Sequence, residues 1–237
     1  MPESRERLIV ALDVSSAAAA QKIVAAVGDA AHLFKVGMQL YTAEGPQIVR
    51  DLVASKRDVF LDLKYHDIPN TVAGAVKEAA KLGAKMLTVH AAGGGKMLRA
   101  AVQAAESTDP HTMVLAVTVL TSMDDHDLEM TGVAGQVEDQ VVLLANLAVM
   151  SGCHGVVASA REAGELRHQL GKHFTIVTPG VRPAGEAHAD QARVVTPGDA
   201  IAAGATYIVV GRPITEAPDP AAAARSILQQ MRGKVPA

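Results

Sequence analysis

Asp62, Lys64 and Asp67 set two carboxylates and an ammonium within six residues. They lie in Phe60-Leu61-Asp62-Leu63-Lys64-Tyr65-His66-Asp67-Ile68-Pro69-Asn70-Thr71, which closes an apolar run and reads as a buried strand opening into a loop. Side chains two apart on a strand share a face, so Asp62 and Lys64 point one way and Leu61 and Leu63 the other. Pro69 stops the ladder, with Asp67 just beyond the strand. Crowding such charges in a partly dry place is costly unless they are paired. Proteins tolerate that cost where chemistry needs clustered charge.

Other chemistry-bearing residues fall at the ends of apolar runs. Lys35 sits inside Leu33-Phe34-Lys35-Val36-Gly37. A lysine is almost never buried unpaired, and its natural partners are Asp13 and Asp62 on neighbouring strands. A purely structural ion network would also satisfy it. Asp13 ends the first run, where it could instead cap a helix, although Ser15 or Ser16 could take that part. Thr121 and Ser122 follow the fifth run, and His90 ends the fourth. Gly211 and Arg212 follow the eighth run, and Arg182 follows the seventh. In a barrel those two loops commonly bind phosphate, which suits bidentate arginine, whereas a solvated arginine is the plainer alternative.

Three other features carry less weight. Gly93-Gly94-Gly95-Lys96 lacks the first Gly and the Ser/Thr of a phosphate-binding loop and reads as a turn into a helix. Asp124-Asp125-His126-Asp127 reads as a solvated loop or helix start rather than a metal site. Cys153 reads as a small buried residue, not a nucleophile. No HExxH, EF-hand or paired-cysteine pattern is present, so no metal site is expected.

The elements that must position these residues alternate. Apolar runs at 8–14, 33–38, 59–65, 86–91, 113–120, 155–159, 174–179 and 207–211 read as strands. Amphipathic or alanine-rich stretches at 17–27, 46–55, 70–82, 96–106, 138–151, 160–170, 197–203 and 219–231 read as helices. Alternation at this spacing suits βα units with right-handed crossovers, and continuous apolar strands suit a parallel sheet with both faces covered. Eight such units predict an α/β chain folded as a single (β/α)₈ TIM barrel over 1–237. An open doubly wound sheet would lead one to expect a glycine-rich turn after the first strand, and Val14-Ser15-Ser16 stands there instead.

Composition sets the outer bounds. The chain has 237 residues, 49% hydrophobic, with a formal net charge of −3. That charge argues against a nucleic-acid partner held by phosphate contacts, and 3% aromatic content with no Trp argues against base-stacking platforms. A lone cysteine cannot form an internal disulfide, which fits a reducing compartment. With no apolar leader and no spanning run, the expectation is a soluble cytoplasmic protein with no membrane partner.

With these residues in view, the chain resembles the orotidine 5'-phosphate decarboxylase family. The resemblance rests on Asp62-Leu63-Lys64-Tyr65-His66-Asp67-Ile68-Pro69-Asn70-Thr71, and on Ala11-Leu12-Asp13, Lys35-Val36-Gly37, Val117 to Ser122, Thr178-Pro179-Gly180-Val181-Arg182-Pro183, Asp190-Gln191 and Gly211-Arg212-Pro213. It implies a (β/α)₈ barrel that converts orotidine 5'-phosphate to uridine 5'-phosphate and CO₂ with neither cofactor nor metal, the last step of de novo uridylate synthesis. It also implies a homodimer with composite sites, Asp67 and Thr71 reaching into the partner's site. Lys64 would stabilise the carbanion at C6 and then protonate it, kept cationic by Asp62 and Asp67. Lys35 and Asp13 would hold the ribose, Thr121 and Ser122 the pyrimidine edge, and Gly211 and Arg212 the phosphate. Arg182 and Gln191 lie on a long loop expected to close over that phosphate. The alternatives are a Mg²⁺-dependent sugar-phosphate decarboxylase or aldolase of the same superfamily, and a silent nucleotide-binding barrel.

Overall fold

A computed structural model describes residues 4–171, 173–183 and 195–232. Eight strands, β1 (Leu8–Ala11), β2 (Leu33–Gly37), β3 (Asp58–Tyr65), β4 (Met86–His90), β5 (Met113–Val117), β6 (Gly155–Val157), β7 (Thr175–Thr178) and β8 (Tyr207–Val210), close in chain order into one barrel. Every neighbouring pair is parallel, including the β1–β8 closure that sets Ile9 beside Val209.

The apolar runs become strands because both faces are buried, and the alternation splits them into two cores. Ile9, Ala11, Leu33, Phe60, Met86, Leu115, Val177, Tyr207 and Val209 pack together inside the barrel. Their chain neighbours Val10, Phe34, Leu61, Leu87, Ala116, Ile176 and Ile208 belong to the layer under the helices. On β1, β2 and β3 the inward set continues upward into Asp13, Lys35 and Asp62, so strand parity aims these side chains at the barrel axis.

Helices Ala17–Val27, Gln47–Ala54, Pro69–Lys81, Gly94–Glu106, Val137–Met150, Ala160–Leu170, Pro197–Ala202 and Pro220–Arg232 each return the chain to the next strand or finish the last unit. Side-chain caps fix several of their starts. The Ser16 hydroxyl accepts from the Ala19 amide, Ser159 and Glu162 form a reciprocal capping box, and Thr196 caps a helix whose first residue is Pro197. Because Ser16 caps the first helix, Asp13 is left for other work.

The structure corrects several boundaries. The ladders of β1 and β5 end at Ala11 and Val117, three residues short of the apolar runs that suggested 14 and 120. Beyond the ladders Leu12 and Val119 are still buried, whereas Val14 is half-buried and Leu120 exposed, so these residues lie in loops, not strands. Pro69 opens a helix at its first position rather than only ending a strand. Among the described residues three short α-helices add to the eight units. Met38–Glu44 and Arg212–Thr215 were not expected, and Asp125–Met130 turns the acidic run into a helix start with Asp124 as its cap.

The N-terminal end of the barrel is sealed by arginines. Arg7 donates to the Thr206 and Ala205 carbonyls at 2.9 and 2.8 Å. Arg167 donates to the carbonyls of Gly171, Phe174 and Gly204 and to the Thr206 hydroxyl. Among the described residues no helix is long and apolar enough to cross a membrane.

Candidate active site

At the C-terminal end of the barrel, charges of alternating sign form a chain. Lys35 Nζ lies 2.8 Å from Asp13 Oδ1 and 3.8 Å from Asp62 Oδ2, and Lys64 Nζ lies 2.8 Å from Asp62 Oδ1. Three of the four are mostly withdrawn from water, with side-chain exposures of 12% for Lys35, 14% for Asp62 and 24% for Lys64, while Asp13 is 58% exposed at the outer end. Such groups stay charged away from water only because each meets an opposite charge. Gly37 makes room for the outer pair: a Cβ there would lie 2.8 Å from Lys35 Nζ and 3.2 Å from Asp13 Oδ1.

The strand that carries Asp62 and Lys64 is not regular. On β3, Leu61 pairs with Leu87 of β4 and the next pairing is Tyr65 with Val89, so the register slips over Asp62, Leu63 and Lys64. Within the slip Lys64 takes φ 53°, a left-handed backbone that costs a non-glycine residue about 1–2 kcal/mol. Plain alternation put Asp62 and Lys64 on one face; the two side chains do meet, but across a bulge. Bulges are a common means of re-aiming a side chain beside an active site.

Two cavities meet at this charge chain. The larger, about 580 Å³, is lined by Asp13, Lys35, Asp62, Arg182, Gly211 and Arg212, among others. The smaller, about 160 Å³, shares Lys35 and Asp62, adds Lys64 and Thr121, and is otherwise walled by apolar side chains such as Val117, Val157 and Pro179. One compartment therefore has two guanidinium groups on its wall and the other is a small, largely apolar slot, with the Lys35–Asp62–Lys64 array at their junction. Anions suit the first and an unsaturated ring the second.

The remaining sequence candidates are distributed less tightly. Arg182 is buried and Arg212 exposed, both on the wall of the larger cavity. Ser122 is exposed next to Thr121. The expected contact between Asp67 and Lys64 does not form within the chain: the Asp67 carboxylate turns to its own loop and accepts from the Ile68 amide at 2.6 Å. Thr71 is exposed on the helix that follows. Gln191 lies outside the described residues. His66 and His90 stack as a tilted pair 5.5 Å apart beside the site, and burial, then the charges of His66 and Lys64, holds His90 below its ordinary pKa. Burial pushes the Cys153 thiol up to about 12, which fits a packing role. Among the described residues no group of three or more His, Cys, Asp or Glu side chains is placed to hold a metal ion.

One residue escaped the sequence reading. Thr88, fully buried on β4, donates its hydroxyl proton to Asp62 Oδ1 at 3.0 Å and accepts from the Lys64 amide at 2.9 Å. A threonine in an apolar strand carries no signal of its own; only the register slip shows it.

Comparison with known proteins places this geometry in a family. Residues 6–227 match the model of the orotidine 5'-phosphate decarboxylase / HUMPS family. The chain is 54% identical over 222 residues to the orotidine 5'-phosphate decarboxylase of Anaeromyxobacter dehalogenans, covering 94% of this chain and 96% of that one. It is 50% identical over 234 residues to the Moorella thermoacetica enzyme of the same name, covering 96% and 93%. The crystal structure of orotidine 5'-phosphate decarboxylase from Lactobacillus acidophilus superposes with a TM-score of 0.86 at 39% identity, over 95% of this chain and 99% of that one. With a closed eight-stranded barrel, a charged rim and 50–54% identity to two of its members over nearly the full length, the chain belongs to the orotidine 5'-phosphate decarboxylase / HUMPS family.

Proposed function

We infer that the chain is a carboxy-lyase that converts orotidine 5'-phosphate to uridine 5'-phosphate and CO₂, the last step of de novo uridylate synthesis. The single observation that carries the reading is the Lys35–Asp62–Lys64 array at the junction of an arginine-lined cavity and an apolar slot.

Loss of CO₂ from C6 leaves an electron pair in an orbital that the pyrimidine ring does not delocalise. Fixed charge and positioning must then stabilise it. The base would lie in the apolar slot with C6 facing Lys64, and Thr121 and Ser122 would meet the pyrimidine edge. The Lys64 ammonium would stabilise the negative charge as it develops and then deliver a proton to C6. Asp62, bonded to Lys64 and facing Lys35, would keep both ammoniums aimed and lie near the departing carboxylate. Lys35 and Asp13 would take the ribose hydroxyls. Gly211, Arg212 and Arg182 would hold the phosphate, with Gln191 on the same closing loop. Phosphate contacts are remote from C6, yet their binding energy can drive closure and orientation. This chemistry calls on no metal or organic cofactor.

The finer reading is a cytoplasmic homodimer in which Asp67 and Thr71 complete the partner's site. It is supported by the exposure of both residues, by the absence of an Asp67 contact to Lys64 within the chain, and by the exposed apolar side chains of Ile68 and Met38 on the same rim. Mixed dimers of Asp67→Ala and Lys64→Ala protomers should recover activity through one intact composite site. Verified mixed dimers with no recovery would remove the shared site.

An ultraviolet absorbance assay with orotidine 5'-phosphate, run with and without EDTA, tests the activity itself. Equal turnover in both arms is expected. No turnover would end the decarboxylase reading, and turnover abolished by EDTA would favour the metal-dependent relatives.

A further inference from the structure

Thr88 is the residue on which the irregular part of the site closes. The β3–β4 register jumps from Leu61–Leu87 to Tyr65–Val89, a slip of two residues, so Thr88 alone on β4 faces Asp62, Leu63 and Lys64. The Lys64 amide, displaced from the ladder by the slip, donates to the Thr88 hydroxyl instead, at 2.9 Å. A hydroxyl has one proton to give, and that of Thr88 goes to Asp62 Oδ1, the same oxygen that receives Lys64 Nζ. The side chain is fully buried, so water does not substitute for either bond.

We propose that Thr88 is a positioning residue for the decarboxylation: it locks the left-handed backbone of Lys64 and the rotation of the Asp62 carboxylate against one hydroxyl. The inference rests on the reaction assigned above to Lys64 and Asp62. Thr88 lines neither of the two cavities at the charge chain, so it would act through Lys64 and Asp62. Without it, the Lys64 backbone loses the partner that offsets its φ of 53°, and Asp62 Oδ1 is held by Lys64 alone. Both changes loosen the ammonium where aim matters most, at the forming C6–H bond. Asp62 reaches only the inner edge of the arginine-lined cavity, and neither change touches Arg182 or Arg212, so ground-state binding of the phosphate end should be preserved.

The test is Thr88→Val, which keeps the shape and removes the hydroxyl, beside Thr88→Ser, which keeps the hydroxyl. Each variant is measured for kcat, KM, affinity for uridine 5'-phosphate and thermal midpoint. A hydrogen bond to a charged group is worth enough to lower kcat about tenfold or more in Thr88→Val. KM and product affinity should stay within about threefold, the signature of an interaction felt in the transition state. Thr88→Ser should recover most of kcat. Wild-type kcat in Thr88→Val, or a Thr88→Ser enzyme as slow as Thr88→Val, overturns the proposal. Should Thr88→Val not fold, Thr88→Cys, whose thiol bonds weakly, takes its place with the same expected loss and the same overturning result. An inactive wild type would instead sink the decarboxylase reading, and it is seen before any variant is made.

Discussion

The two ends of the barrel both bury cations, and they satisfy them in opposite ways. At the N-terminal end, Arg7 and Arg167 spend their donors on backbone carbonyls of the loops leading into β7 and β8. Both guanidinium groups are tied to the backbone in this way, and the arginines act as staples. At the C-terminal end, Lys35 and Lys64 face carboxylates, and each ammonium donates one hydrogen bond to a carboxylate, Lys35 to Asp13 and Lys64 to Asp62, out of three N–H donors. Cavities open beside them. The first end uses charge to close the backbone; the second holds charge poised for something that enters. The same barrel thus separates stability from chemistry along its axis, as expected where active sites sit at the C-terminal face.

Breaking the contrast is straightforward, and the largest effect should come from the poised end. Lys64→Ala removes the group assigned to C6 and should lower kcat at least about 10³-fold while uridine 5'-phosphate still binds measurably. A variant that keeps near-normal turnover would strip Lys64 of its proton-donor role. Next in size is Arg212→Ala. It should weaken binding of the phosphorylated substrate about 10- to 100-fold more than binding of the nucleoside, because a charge-assisted pair is lost only for the former. Equal losses for both ligands would take Arg212 out of the phosphate site. The smallest effect on catalysis belongs to the stapled end. Arg7→Ala takes the guanidinium away from one buried and one part-buried carbonyl and should cost about 1–3 kcal/mol of stability, read by denaturant unfolding, with kcat per folded molecule unchanged. A drop in kcat without a drop in stability would erase the distinction between the two ends.

How far the sequence carries one depends on what kind of force sets each feature. The barrel was legible because eight buried parallel strands must be apolar on both faces, and that leaves long runs such as Tyr207-Ile208-Val209-Val210. The pairing of Lys35 with Asp13 and Asp62 was legible because a lysine in an apolar strand demands a carboxylate. Run length over-extended β1 and β5, since Val14 and Val119 pack without joining a ladder. The Met38–Glu44 helix was missed because only Leu40 in it is buried, which gives no helical apolar repeat. The role of Thr88 and the left-handed Lys64 were out of reach. Both follow from a register slip between two strands, and register is a tertiary quantity that no local pattern displays. The sequence places Asp67 close to Lys64 along the chain but does not say which site it serves; within the chain its carboxylate accepts from the Ile68 amide, just ahead of the helix that Pro69 opens.

The central claim is that the preset charges at the C-terminal rim, and no other part of the molecule, meet the reacting carbon. A crystal structure of the enzyme with uridine 5'-phosphate tests this most directly. The expected result places C6 about 3–3.5 Å from Lys64 Nζ, with the phosphate against Arg182 and Arg212. A base seated away from Lys64, whatever holds the phosphate, would contradict it.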